Sequence, residues 1–161
     1  MERLWTPWRR QYVSEDKTKG CFLCDKARED NDRENFVLYR SSHCYALLNT
    51  FPYNAGHVMV APYAHTGDFP ALDPETGLDM WTVTQQVTNV LKMEYGPEGF
   101  NLGLNLGKAG GAGVVDHLHM HIVPRWVGDT NFMPLVGGTK VLPETLPETY
   151  ARLRPHFDNG K

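Results

Sequence analysis

Several things are scarce in these 161 residues. Cysteine occurs three times, at Cys21, Cys24 and Cys44. That is too few, and too unevenly spaced, for a disulfide framework, so the chain reads as one kept in a reducing, cytoplasmic setting. No apolar run is long enough to span a bilayer. The stretch Met1-Glu2-Arg3-Leu4-Trp5 lacks the apolar core of a secretion signal. Positive charge is not in excess: 16 Lys and Arg face 19 Asp and Glu, a formal charge of −3. A dedicated polynucleotide binder, whose affinity rests on neutralising many phosphates, is disfavoured. A small phosphorylated ligand needs only a local site. Repeats, low-complexity tracts and a P-loop order of Gly-Lys-Ser/Thr are absent, and so is an acidic cluster dedicated to magnesium.

What is present centres on His117-Leu118-His119-Met120-His121-Ile122-Val123-Pro124. Strict alternation of histidine with apolar residues predicts a β-strand with one buried face. Leu118, Met120 and Ile122 then point into the core. His117, His119 and His121 stand in a row on the other face, with neighbours roughly 7 Å apart. One histidine beside apolar residues is ordinarily a hydrogen-bonded bystander. Three in register suggest proton transfer, metal ligation or nucleophilic attack.

The elements around this strand follow from pattern. Phe36–Tyr39 and Cys44–Leu48 read as a hairpin, and Gly56–Pro62 as a third strand with His57, Met59 and Ala61 on one face. Asp73-Pro74 opens one long helix carrying Met80, Val83, Val87, Val90 and Leu91 as its apolar stripe and ending near Tyr95-Gly96-Pro97. Phe100–Leu106 alternates as a fourth strand. A glycine-rich loop, Lys108–Gly113, leads into the histidines, and glycine there lets backbone N–H groups converge on an anion. A short helix is expected from Pro143-Glu144-Thr145 to about Leu153. The layout is α+β: one domain, an antiparallel meander with one long helix. Residues 1–20 read as an arm anchored by Trp5 and Trp8, 21–130 as the domain, and 131–161 as an extension packing on the domain or a partner subunit.

Individual residues leave alternatives open. Cys21-Phe22-Leu23-Cys24 can be a redox pair, half a zinc site or coincidence. The polar stretch before it argues for zinc over redox if two more ligands exist, and His43 is one candidate. His57 can be a buried, hydrogen-bonded histidine or a ligand contact, and Asn49 can cap the turn that follows it. Trp126 can stack on a base or on a partner subunit. Lys108 and Arg125 are candidate phosphate neighbours.

The segment His117–Val123 resembles the signature of the histidine triad (HIT) family. The similarity extends from about Cys21 to Trp126, through Asn49, Gly56-His57-Val58-Met59-Val60 and Asn105. The segments 128–134 and 139–146 are similar to bacterial members acting as dinucleoside polyphosphate phosphorylases or hydrolases. The resemblance implies a homodimeric α+β fold and a nucleotidyl hydrolase or transferase. It implies His119 as nucleophile on the α-phosphorus, His121 as a holder of phosphate oxygens and His117 beside them. Asn49 is implied at the ribose, His57 in the nucleotide pocket, and Asn105 with Gly111, Ala112 and Gly113 at the phosphates. A structural zinc on Cys21, Cys24, His65 and His117 is implied as well, and any magnesium arrives with the substrate. The chain departs from many family hydrolases in one respect: Gly111-Ala112-Gly113 has no side-chain donor where glutamine or serine is usual. Adenosine phosphoramidate-type substrates, and a nucleotide-binding module of low turnover, are the alternatives.

Overall fold

The computed structural model describes residues 20–130 and 141–160. Trp5 and Trp8 of the expected arm lie outside the described residues. In chain order the elements are α1 (Phe22–Arg28), β1 (Val37–Arg40), β2 (Cys44–Leu48), β3 (Val58–Pro62), α2 (Pro74–Tyr95), β4 (Gly99–Leu104), β5 (Met120–Arg125) and α3 (Leu146–Leu153), followed by a 3₁₀ turn at Arg154–Gly160. The five strands form one antiparallel sheet in the order β1-β2-β3-β5-β4. The α+β class expected from the pattern is the class observed.

Both faces of the sheet are covered, which is why β2 and β3 are buried along their whole length. Val58 and Val60 of β3 and Ile122 of β5 pack with Val83, Val87 and Leu91 of α2 and with Leu153 and Phe157. The opposite face of β3 carries Met59 and Ala61, which pack with Val37, Tyr45, Leu47 and Leu23 of α1. Period-two alternation in β3 therefore divides the core into two layers. The histidines belong to the α1 side.

Helix α2 starts and stops as its sequence requires. The Asp73 carboxylate accepts the Thr76 N–H at 3.1 Å, and Pro74 occupies the first turn, where its missing N–H costs nothing. At the other end Gly96 adopts φ 51°, a left-handed cap that returns its N–H to the Lys92 carbonyl. Two elements were not expected. Helix α1 is too short for a periodic signal, and the 3₁₀ turn inserts Phe157 against Tyr39, with ring centroids 5.7 Å apart.

One expectation is corrected. The ladder of β5 begins at Met120, not His117. Val60 pairs with Met120 as the last rung on the β3 side, and β3 ends at Pro62, which has no N–H to offer. Upstream of the ladder the Leu118 N–H donates instead to the Thr66 carbonyl at 2.7 Å. His117 and His119 thus precede the strand, and only His121 stands on it.

Candidate active site and metal-ligand cluster

Hydrogen bonds that trace back to main-chain atoms fix the tautomers of His119, His57 and His121. The His119 Nδ1–H donates to the His117 carbonyl at 2.9 Å. A neutral ring whose Nδ1 carries the proton has its lone pair on Nε2. Burial, opposed by that hydrogen bond, holds the His119 pKa below its ordinary value. His119 therefore presents a neutral, nucleophilic Nε2.

His121 is set by a longer chain. The Tyr53 N–H donates to His57 Nδ1 at 3.0 Å. A backbone amide can only donate, so the proton of His57 is on Nε2. That atom lies 3.0 Å from His121 Nδ1 and donates to it. His121 then carries its own proton on Nε2, which lies 3.5 Å from the Asn105 side-chain amide and calls for that amide to turn its oxygen, the accepting atom, toward the ring. The two triad rings sit edge to face, 4.9 Å between centroids. One offers a lone pair and its neighbour an N–H, as attack on a phosphoryl group needs.

A narrow cleft joins His119 and His121 to Asn49, Phe51, Met59, Phe22 and Gly113. Asn49 does cap its turn: its Oδ1 accepts the Phe51 N–H at 2.9 Å, with its amide nitrogen 3.4 Å from His57 Nδ1. Capping and cleft lining coexist at this residue. His57 is 1 % exposed and stacks under Tyr53, so it supports the cleft from below. In the glycine loop Gly111 takes φ 87°, and a Cβ at Gly110 would lie 2.3 Å from the Leu106 carbonyl oxygen. The Gly111 and Ala112 N–H groups donate inside the loop, to Lys108 and Gly107. Gly113 is the loop residue that reaches the cleft.

Two other expected site residues lie outside this cleft. Trp126 lines a separate cavity with Tyr95, Leu142 and Arg152. Arg125 is held by both oxygens of Asp129, at 2.6 and 2.9 Å. That guanidinium, more than the Trp126 and Asn54 donors, keeps the Asp129 carboxyl well below the usual carboxylate range. Sequence reasoning missed Tyr53, seen only as part of a turn, and Phe22, hidden inside the C-x-x-C. Neither belongs to a period, so neither gave a signal.

On the far side of His117 a second cluster forms. The His117 Nε2–H donates to the Pro62 carbonyl at 2.8 Å, which turns the Nδ1 lone pair toward Cys21 Sγ (3.3 Å) and Cys24 Sγ (3.4 Å). His65 Nδ1 lies 3.3 Å from Cys24 Sγ and 3.4 Å from His117 Nδ1. All four ligand atoms lie within 4.8 Å of one another. These separations match the edges of a tetrahedron with metal–ligand bonds of about 2.0–2.3 Å, the dimensions of a zinc site. The carbonyl behind His117 fixes its tautomer, as an outer partner does for a ligating histidine. His43 is not part of it: its ring faces Glu75.

Residues 30–127 match the family model described as HIT domain. The AP-4-A phosphorylase of Mycobacterium tuberculosis is 39% identical over 157 residues, covering 92% of this chain and 80% of that protein. The bis(5'-adenosyl)-triphosphatase of Dictyostelium discoideum is 26% identical over 136 residues, covering 80% and 90%. Among solved structures, a zinc-bound histidine triad family protein from Mycobacterium smegmatis aligns with a TM-score of 0.69 at 27% identity, covering 87% of this chain and 94% of that one.

Proposed function

Since the chain belongs to the HIT-domain family, we propose that it is a nucleotidyl hydrolase or transferase acting on dinucleoside polyphosphates, with His119 as the covalent nucleophile. The observation that carries the reading is the His119–His121 pair: a buried lone pair beside a proton donor whose tautomers are set by the main chain. The 39% identity to an AP-4-A phosphorylase supports diadenosine tetraphosphate as the substrate class.

Two steps describe the reaction. His119 Nε2 attacks the α-phosphorus, a P–N bond forms, and the bond to the departing polyphosphate oxygen breaks. Phosphate or water then attacks the nucleotidyl-histidine, the P–N bond breaks, and neutral His119 returns. Division into two displacements lowers each barrier. His121 Nε2–H and the backbone at Gly113 stabilise charge on the phosphoryl oxygens. Cys21, Cys24, His65 and His117 would hold a zinc ion with all four positions closed, so its contribution is to hold the segment carrying His119 in place. The bare loop Gly111-Ala112-Gly113 leaves no side chain to position water and favours phosphate as the second nucleophile.

Product analysis tests this. Diadenosine tetraphosphate and magnesium are incubated with the protein, with and without inorganic phosphate. ADP plus ATP, formed only with phosphate, is the expected result. AMP plus ATP in both tubes identifies water as the nucleophile. His119→Asn is expected to lower turnover about a thousandfold or more while retaining nucleotide affinity. If the wild-type protein binds the dinucleotide but releases no product, the chain is a binding module.

A further inference from the structure

His121 stands at the junction of two cavities. One is the cleft it shares with His119. The other, about 310 Å³, spreads over β4 and β5 and is lined by Tyr53, Asn101, Gly103, Asn105, Val123 and Arg125. Attack by His119 occupies the first cavity and leaves the second without a task.

The second cavity has its own chemistry. Arg125 is the cation at its edge, and Asp129 compensates it through two oxygens, while its remaining Nη1 donates to Asn101 Oδ1 at 2.7 Å. A bare polyphosphate gains little there, because the charge that would attract it is already paired. The floor is flat: Gly103 lies opposite His121 in the sheet, and a Cβ built on it meets no atom of the described residues within 4 Å. Val123 continues that floor. The wall is the Tyr53 ring, stacked at 28° to His121 with centroids 5.7 Å apart. An aromatic wall, an apolar floor and amides at the rim suit a base and sugar better than a phosphate.

We propose that this cavity binds the second nucleoside of a dinucleoside polyphosphate, the half that departs when His119 is nucleotidylated. Tyr53 is the stacking face, and Asn101 and Asn105 are the polar groups at the rim. The first nucleoside lies on the Asn49 side, the scissile phosphate between His119 and His121, and the remaining phosphates run past Asn105. This inference rests on the nucleotide-cleaving reading above and adds to it the recognition of a second end group.

The test compares diadenosine tetraphosphate with adenosine 5′-tetraphosphate, which has the same four phosphates and no second nucleoside. In the wild-type protein kcat/KM is expected to favour the dinucleotide at least about tenfold, the size of one base–aromatic stack. Tyr53→Ala and, independently, Gly103→Val are expected to lower that ratio about tenfold, and Tyr53→Phe to preserve it. A wild-type ratio near one, or a ratio unmoved by both substitutions, overturns the subsite. Cleavage of neither compound sinks the enzymatic reading alone. The subsite is then judged by calorimetric affinities of the two compounds for the same protein: tighter binding of the dinucleotide supports it, and equal affinities or no binding of either overturn it.

Discussion

His117 works in two directions. Its ring faces the two cysteines and His65, while its carbonyl oxygen accepts the His119 proton. One residue thereby ties the metal-ligand cluster to His119. The third cysteine contrasts with the other two. Cys44 is 0 % exposed, and burial, reinforced by Asp79, pushes its thiol up to about 12. The unfolded chain ionises this thiol near its ordinary value of about 8.5. Between there and about 12 the native state holds a proton that the unfolded state has lost, so stability falls as pH rises through that window. At pH 8 iodoacetamide is expected to leave Cys44 unmodified in the native protein and to label it after denaturation, as read by mass spectrometry. Native labelling at the denatured rate would contradict its burial.

At the scale of elements, α1 has only seven residues, too few to be stable alone. Leu23 anchors it to the sheet, and the Tyr45 hydroxyl donates to the Leu23 carbonyl at 2.7 Å. The Arg40 guanidinium donates to the Ala27 and Lys26 carbonyls at 2.8 and 3.0 Å, and Cys21 and Cys24, one before the helix and one in its first turn, offer a further restraint. A metal ion on the four ligands would join α1 to the segments at His65 and His117. Chelation is therefore expected to lower the melting temperature of the metal-loaded protein and to raise amide hydrogen exchange in 21–28 and around 117, with α2 unaffected. Cys24→Ser should reproduce the effect without chelator. Exchange that rises uniformly across the chain, or not at all, would remove the local role of the cluster.

For the whole molecule, the order of the strands among the described residues leaves β4 at an edge with its residues largely exposed, among them Leu102 at 44 %. A long exposed edge carrying leucine is a template for pairing. The expected homodimer would cover it with the same strand of a second copy, a self-complementary arrangement that closes. Sedimentation of the full chain is expected to give twice the monomer mass, and Leu102→Asp, a charge placed on the edge, to shift it toward monomer. A wild-type chain that sediments as a monomer rules the arrangement out. Among the described residues no helix is long and apolar enough to cross a membrane.

Much of this was legible in one dimension because it depends on periodicity or on local chemistry. An apolar run beside a turn placed β2, and alternation placed β4 and separated Val58 and Val60 from Met59 and Ala61 in β3. Asp73-Pro74 and Gly96 bounded α2, since caps are decided within one turn. The histidine alternation marked the site, and family resemblance singled out the four ligand residues that the structure brings together. Other features depended on partners distant in the chain, which no local pattern encodes. The start of β5 at Met120 follows from where β3 stops. The proton on His121 follows from a Tyr53 amide 68 positions earlier, acting through His57. The pairing of Arg125 with Asp129 follows from the turn that brings the two side chains within reach. Sequence thus determined which residues could do chemistry, because side-chain type and spacing are local. Only the tertiary structure decided which atom of each carries the proton, because that depends on the main-chain groups the fold sets against it.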